Sequence, residues 1–167
     1  MSKLTALAVS IAILGGVWAF LALNPLASAT LVWVGFIAWG CYFHSGADTA
    51  ALQKTIAGMS YGAVIAGIAL YLVSSGVLGG LGVLAAPVII AVTVFALVIV
   101  AGANLLSVVP ANVYGYAATA GLALTAGTAG NATMANQTNP VLLVIISVVL
   151  GALFGMASGK LAGAIGK

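Results

Sequence analysis

Arginine is absent from this chain of 167 residues, and acidic side chains nearly so: Asp48 is the only one, set against four lysines. Without arginine there is no planar fork for a bidentate grip on phosphate or carboxylate. Four scattered lysines make no basic face for nucleic acid, which is excluded as a partner. His44 and Cys41 are also single. One cysteine forms no internal disulfide, and one His, one Cys and one Asp are too few to build a metal site or an acid–base pair with its supports. The chain is therefore read as neither an enzyme nor a cofactor or metal protein, with Cys41 a small apolar filler.

Charge as a whole is scarce. Charged residues make up 3% of the chain, where a soluble domain carries about 25%. Five charged side chains cannot keep a surface of this size dispersed in water, so lipid must be the main solvent. What is present fits: 64% of residues are hydrophobic and the mean hydropathy is +1.32. A span needs about 20 apolar residues, so the expected fold is an all-α polytopic membrane protein of six transmembrane helices. Residues 1–167 form one transmembrane domain, with no separate soluble part.

The apolar runs place the spans at 4–23, 27–43, 55–74, 83–103, 104–129 and 141–158. The first run exceeds the 7–15 residues usual for the core of a signal peptide, so it is read as a span. Trp33, Trp39, Tyr42 and Phe43 in the second are aromatic, and those near its ends are assigned to the interfacial aromatic belt. Gly58, Gly62 and Ala66 in the third recur every four residues, a spacing that lets helices approach closely. The fourth is the most uniformly apolar and is expected to face lipid. The fifth is rich in Ala, Gly and Thr, so protein rather than lipid should cover it. Lys3, Lys54, Lys160 and Lys167 all fall on one side of a six-span arrangement, which the positive-inside rule makes cytoplasmic, together with both termini.

Two polar connectors interrupt the apolar sequence, 44–54 and 130–140. They share a pattern: Gly46-x-x-Thr49-x-Ala51-x-Gln53 returns as Gly130-x-x-Thr133-x-Ala135-x-Gln137, an offset of 137 − 53 = 84. Pro25 and Pro110 are similarly spaced and mark the starts of helices two and five. The reading is a 3+3 inverted repeat with halves 1–82 and 83–167, in which helices two and five are irregular. Inverted repeats recur in transporters, with the polar site where the halves meet. Ser45, Asp48 and Thr49 are expected to cap the third helix and the Asn131/Thr133 region the sixth.

The stretch Trp33-x-Gly35-Phe36-x5-Tyr42-Phe43, the Gly15-Gly16-x-Trp18 segment and Val109-Pro110-x4-Gly115-x2-Ala118-Thr119 resemble the YcdZ-like family of small bacterial inner-membrane proteins. The resemblance covers most of the chain at low density and departs at His44–Asp48. It implies a bacterial inner (cytoplasmic) membrane location and a shared fold, and it supplies no substrate or catalytic residue.

The function expected from the residues is a passive channel or facilitator for a small, mainly neutral polar solute such as urea or an amide. His44, Asp48, Thr49, Gln53, Tyr114, Thr119, Asn131, Thr133 and Gln137 are the candidate path residues. The two glutamines each offer donors and an acceptor to a neutral solute. The alternatives are a non-transporting membrane scaffold or accessory subunit, and a cation-permeable channel using Asp48. The expected partners are the lipid bilayer, the solute and further copies of the chain in a homo-oligomer, a trimer by analogy with other solute channels.

Overall fold

A computed structural model describes all of residues 1–167 and contains six α-helices: α1 (Lys3–Leu23), α2 (Val32–His44), α3 (Thr49–Ser74), α4 (Ala85–Ile99), α5 (Val109–Thr125) and α6 (Pro140–Ile165). Their ends follow local chemistry. The Ser2 hydroxyl accepts from Thr5 N at 3.2 Å to open α1. Asn24 closes it, its Nδ2 donating to Phe20 O at 2.9 Å just before Pro25. Asp48 opens α3, and Asn139 followed by Pro140 opens α6; such caps satisfy N–H groups that have no partner in the first helical turn.

Four runs are long and apolar enough to cross a membrane: Lys3–Leu23, Thr49–Ser74, Gly79–Gly102 and Pro140–Ile165. The third includes α4 and the 3₁₀ turns on either side of it. Helices α2 and α5 are shorter, at 13 and 17 residues. At 1.5 Å per residue they extend about 20 and 25 Å, less than the ~30 Å hydrocarbon thickness.

Several boundaries differ from those read in the sequence. The second helix starts at Val32 rather than 27, because residues 24–30 coil into turns closed by Leu26 N→Leu21 O and Thr30 N→Leu26 O, both 2.9 Å. The capping side chain of Asp48 moves Thr49–Lys54 out of the connector and into α3. The fifth element contracts from 104–129 to Val109–Thr125. The last helix runs past 158 to Ile165 and takes in Lys160.

Helices α3 and α6 lie side by side and antiparallel, with Val141 at the start of α6 filling the space beside Gly67 late in α3. Each of these long helices carries one short helix in parallel. Along α6 lies α2: Gly151 rests on the backbone of Gly35, and Gly155 on Trp39 and Tyr42. Along α3 lies α5: Gly62 rests on the backbone of Asn112 and Tyr116, and Gly115 on that of Met59. Helix α1 backs α6 through Trp18 and Phe154, ring centroids 5.6 Å apart. Helix α4 backs α3, where Tyr61 Oη donates to Ala96 O at 2.9 Å. The core is made of small and medium side chains from α2, α3, α5 and α6, among them Val34, Met59, Ala111, Val144 and Val148. Lipid tails are as apolar as these side chains, so close backbone packing rather than exclusion from water must hold such helices together. Helix α4 buries only Ile89, Thr93 and Leu97 and turns the rest of its apolar surface outward.

One end of the bundle collects the starts of α1 and α3 and the ends of α2 and α6. There Gly166 packs on Lys3 and Ala6, and Lys167 N donates to Met1 O at 3.0 Å. Lys3, Lys54, Lys160 and Lys167 therefore lie toward the same end.

Candidate functional site

The α2–α3 connector turns sharply at the lysine end. Gly46 has φ 120° and Ala47 φ 58°. The left-handed region costs a residue with a Cβ about 1–2 kcal/mol. Ala47 is held there by Tyr42, whose Oη donates to Ala47 O at 2.6 Å. The turn delivers Asp48 to the start of α3, where Oδ1 accepts from Ala51 N at 2.6 Å. This connector, the start of α1 and the end of α6 surround an open cavity of about 550 Å³. Lys3, Lys160, Asp48, Thr49 and Tyr42 give it polar groups, while Leu7, Phe43 and Met156 give it apolar walls.

A second cavity, of about 190 Å³, lies at the opposite end between the last turns of α3, the start of α4 and α5. Ala66, Leu70, Val73, Ile90, Tyr116 and Leu124 make it almost wholly apolar. These two occupy corresponding positions, one against α1, α2 and α6, the other against α4, α5 and α3; a further cavity of about 540 Å³ lies beside Leu52, Gln53 and Leu105, and one of about 240 Å³ beside Ser28, Asn136 and Gln137.

The second polar connector is tied by Asn139, which is buried. Its Oδ1 accepts from Val141 N at 2.8 Å and Leu142 N at 3.3 Å, while its Nδ2 donates to Ala132 O at 3.1 Å and Met134 O at 2.6 Å. Asn139 thus caps α6, in place of the Asn131/Thr133 region; Asn131 instead donates to Thr138 Oγ1 at 3.0 Å.

The caps also fix the register between the connectors. Asp48 and Asn139 are 139 − 48 = 91 positions apart, not 84. Gln53 therefore lies within α3, five residues past its cap, whereas Gln137 precedes the cap of α6 by two. The shared Gly-x-x-Thr-x-Ala-x-Gln pattern falls at unlike places, because cap position follows the side chain that reaches the free N–H groups. The prolines differ too: Pro110 is the second residue of α5, and Pro25 sits in the turn seven residues before α2.

Among the candidate path residues, His44, Asp48, Thr49 and Gln53 gather at the lysine end and are exposed. Thr133 and Gln137 are exposed at the other end, with Asn131 half-buried beside them. Tyr114 faces outward from α5 at 36% exposure. Thr119 alone is buried, and its hydroxyl donates to Gly115 O at 3.0 Å. The nine do not line one cavity.

The polar groups inside the bundle are others. Asn112, at 0% exposure, donates to Leu97 O at 3.2 Å and Leu106 O at 3.1 Å, holding the irregular stretch between α4 and α5, while its Oδ1 has no partner. Thr93 and Tyr116 share a hydrogen bond of 3.1 Å across α4 and α5. Ser147 Oγ accepts from Leu31 N at 2.8 Å. Trp18 Nε1 donates to Val32 O and Trp39 Nε1 to Ser158 Oγ, both at 3.0 Å. Sequence reasoning passed over Asn112; the signal was an amide two residues after Pro110 at the start of an otherwise weakly polar helix. It did not reach what Trp39 and Tyr42 pack against. Both are 3% exposed and packed against α6, whereas Trp33 is 43% exposed.

No group of three His, Cys, Asp or Glu side chains is placed to hold a metal ion. No curated protein and no solved structure matches the chain. A family model does match, over residues 8–163, and the chain belongs to that family, described as Protein of unknown function (DUF1097).

Proposed function

We propose that this chain is a 3+3 inverted repeat, with halves 1–82 and 83–167, that crosses the bacterial inner membrane six times. We further propose that it lets a small, mainly neutral polar solute pass down its gradient. The observation that carries this reading is the reciprocal seating of the two short helices. Helix α2, from the first half, lies on α6 of the second; α5, from the second half, lies on α3 of the first.

Both short helices begin below the ends of their carriers. Leu31 N meets Ser147, seven residues into α6, about 10 Å down at 1.5 Å per residue. Asn112, the fourth residue of α5, meets Gly58, nine residues into α3, so α5 starts about 9 Å down. Residues 24–31 and 100–108 occupy the remaining depth. Non-helical backbone is tolerated at membrane depth where protein or a cavity satisfies it, and interrupted helices at a repeat interface are where transporters place their sites. The lysine-end cavity and the apolar one each adjoin the C-terminal half of one short helix, Tyr42 and Phe43 of α2 or Tyr116, Ala120 and Leu124 of α5. Those halves are the proposed walls of the route. The lysines put their end of the bundle, with both termini, in the cytoplasm under the positive-inside rule. Association into a homo-oligomer, with a trimer as the working expectation, would cover part of the apolar outer surface.

The test is stopped-flow light scattering of proteoliposomes under gradients of urea, formamide, glycerol and ammonium. One solute should relax faster than in empty vesicles, and Ala120→Phe, which fills the smaller cavity, should slow it. Rates equal to empty vesicles for every solute would end the facilitator reading.

A second reading, a non-transporting scaffold or accessory subunit, is favoured by the glycine-on-backbone crossings at Gly35/Gly151 and Gly62/Asn112, which close the seam between short and long helices. Recovery of one stoichiometric foreign subunit on gentle extraction would support it. A cation route through Asp48 is the third and has least support, because that carboxylate is engaged as the α3 cap.

A further inference from the structure

We infer that the cavity at the lysine end is a binding site for the headgroup of an anionic phospholipid. The inference does not rest on solute passage. Three features of the cavity carry it, and the first is charge. Lys3 from the first turn of α1 and Lys160 from the end of α6 both line it, and the only anionic group there is Asp48. One oxygen of Asp48 is already occupied by Ala51 N. Two ammonium groups against one carboxylate leave a single positive charge, which a phosphodiester neutralises.

The second feature is the wall. Leu7, Phe43 and Met156 line the same space, so a ligand here meets ammonium groups and apolar side chains together. A free inorganic anion has no use for those walls; the glycerol backbone and first acyl carbons of a lipid do. The third is position and size. The cavity lies between helix ends, at the level where α1 starts and α6 finishes, and its ~550 Å³ falls within the ~300–1,000 Å³ of small-molecule sites. Basic pockets between membrane helices on the cytoplasmic side are a recurrent headgroup site. The pairing of Lys167 N with Met1 O and the packing of Gly166 on Lys3 hold the two termini together beside it.

A lysine at a membrane surface contributes about 1 kcal/mol toward an anionic lipid, or about fivefold in affinity. The test uses the purified full chain in an uncharged detergent, with unfolding followed by tryptophan fluorescence. Short-chain phosphatidylglycerol, short-chain phosphatidylcholine and inorganic phosphate are titrated separately. Phosphatidylglycerol should raise Tm in a saturable way, and the other two should not. Lys3→Gln and Lys160→Gln should each weaken the apparent affinity about fivefold, and the double variant about 25-fold, while Lys54→Gln/Lys167→Gln should leave it near wild type. Both lysines are exposed, and the Tm of each variant without lipid reports whether its fold is intact. Met156→Glu, which sets a carboxylate in the wall, is a second variant expected to abolish the effect.

The inference is overturned by any of three results. One is no response to phosphatidylglycerol. Another is an equal response to inorganic phosphate, which would make this a site for free anions. The third is equal weakening by both lysine pairs, which would mean diffuse attraction to the basic end and no site.

Discussion

The glycine-on-backbone crossing of α2 and α6 makes a quantitative prediction. A Cβ added at Gly151 would meet the carbonyl oxygen and Cα of Gly35 well inside van der Waals contact. The obstacle is main chain, so no rotamer change removes it and the two helices must move apart. Overpacking a close-packed interior costs about 1–3 kcal/mol, and a backbone obstacle belongs at the upper end. Alanine recovers about 0.8–1.0 kcal/mol of helix propensity over glycine, which leaves Gly151→Ala about 2 kcal/mol less stable. Gly16 and Gly40 lie in helices α1 and α2 with nothing within 4 Å of an added Cβ, so there the propensity gain stands alone. Gly16→Ala and Gly40→Ala should thus be unchanged or more stable. The readout is the Tm of purified protein in one detergent, by tryptophan fluorescence. At about 2–4 °C per kcal/mol for a chain of this size, Gly151→Ala should melt roughly 4–8 °C below wild type. If Gly151→Ala melts at or above Gly16→Ala, the crossing is not as close as described and the packing argument fails.

Three further outcomes follow from the connectors. Asp48→Ala should cost about 1 kcal/mol through loss of the α3 cap, whereas Asp48→Asn, still a good cap, should cost only a few tenths; both are read as Tm. A loss of cation flux in Asp48→Asn at unchanged Tm would instead favour the cation route. Ala47→Gly should stabilise by under about 1 kcal/mol, because removing the left-handed penalty of ~1–2 kcal/mol outweighs the added freedom of the unfolded chain; a lower Tm would refute it. For orientation, in a Cys41→Ala background, Thr138→Cys should react with a membrane-impermeant maleimide in intact cells and Lys54→Cys only in inverted vesicles; the reverse pattern would turn the proposed topology over.

Helix existence was legible in the sequence, and helix length was not. Hydropathy averages over a window, and residues 27–31 are as apolar as the helix that follows. What ends the helical pattern there is hydrogen bonding back to Leu21 and Leu26 in turns, which an average cannot register. The same limit hid the shortness of α5. Among the candidate site residues, Asp48 was readable because N-capping is a local rule of side-chain reach. The packing of Trp39 was not readable, because a belt assignment gives depth in the membrane and not the neighbouring helix. Here its indole N–H finds Ser158 on a helix 119 positions away in sequence. Asn112 was passed over for a similar reason. Its partners are a carbonyl in the last turn of α4, Leu97 O, and one in the turn before α5, Leu106 O, and neither the helix stop nor the carbonyls can be read from composition.

The proposed repeat is better defined by these geometric landmarks than by matched letters. The unassisted starts of the short helices, Leu31 and Val108, are 108 − 31 = 77 apart. At the same offset Gly35 corresponds to Asn112, and these are the residues whose backbones receive Gly151 and Gly62. The long helices are offset differently: their crossing glycines are 151 − 62 = 89 apart and their caps 91. No single shift aligns the proposed halves, so an alignment at 84 falls between the two geometric registers and matches neither. The crossing lies 14 residues past the cap in α3 and 12 in α6. Two residues are about 200° of helix rotation at 3.6 residues per turn. Two helices descended from one ancestor can then keep the crossing while presenting different faces to their capping ends. The cavities of the proposed halves then differ: an open basic one bordered by α1, α2 and α6, and a small apolar one bordered by α3, α4 and α5.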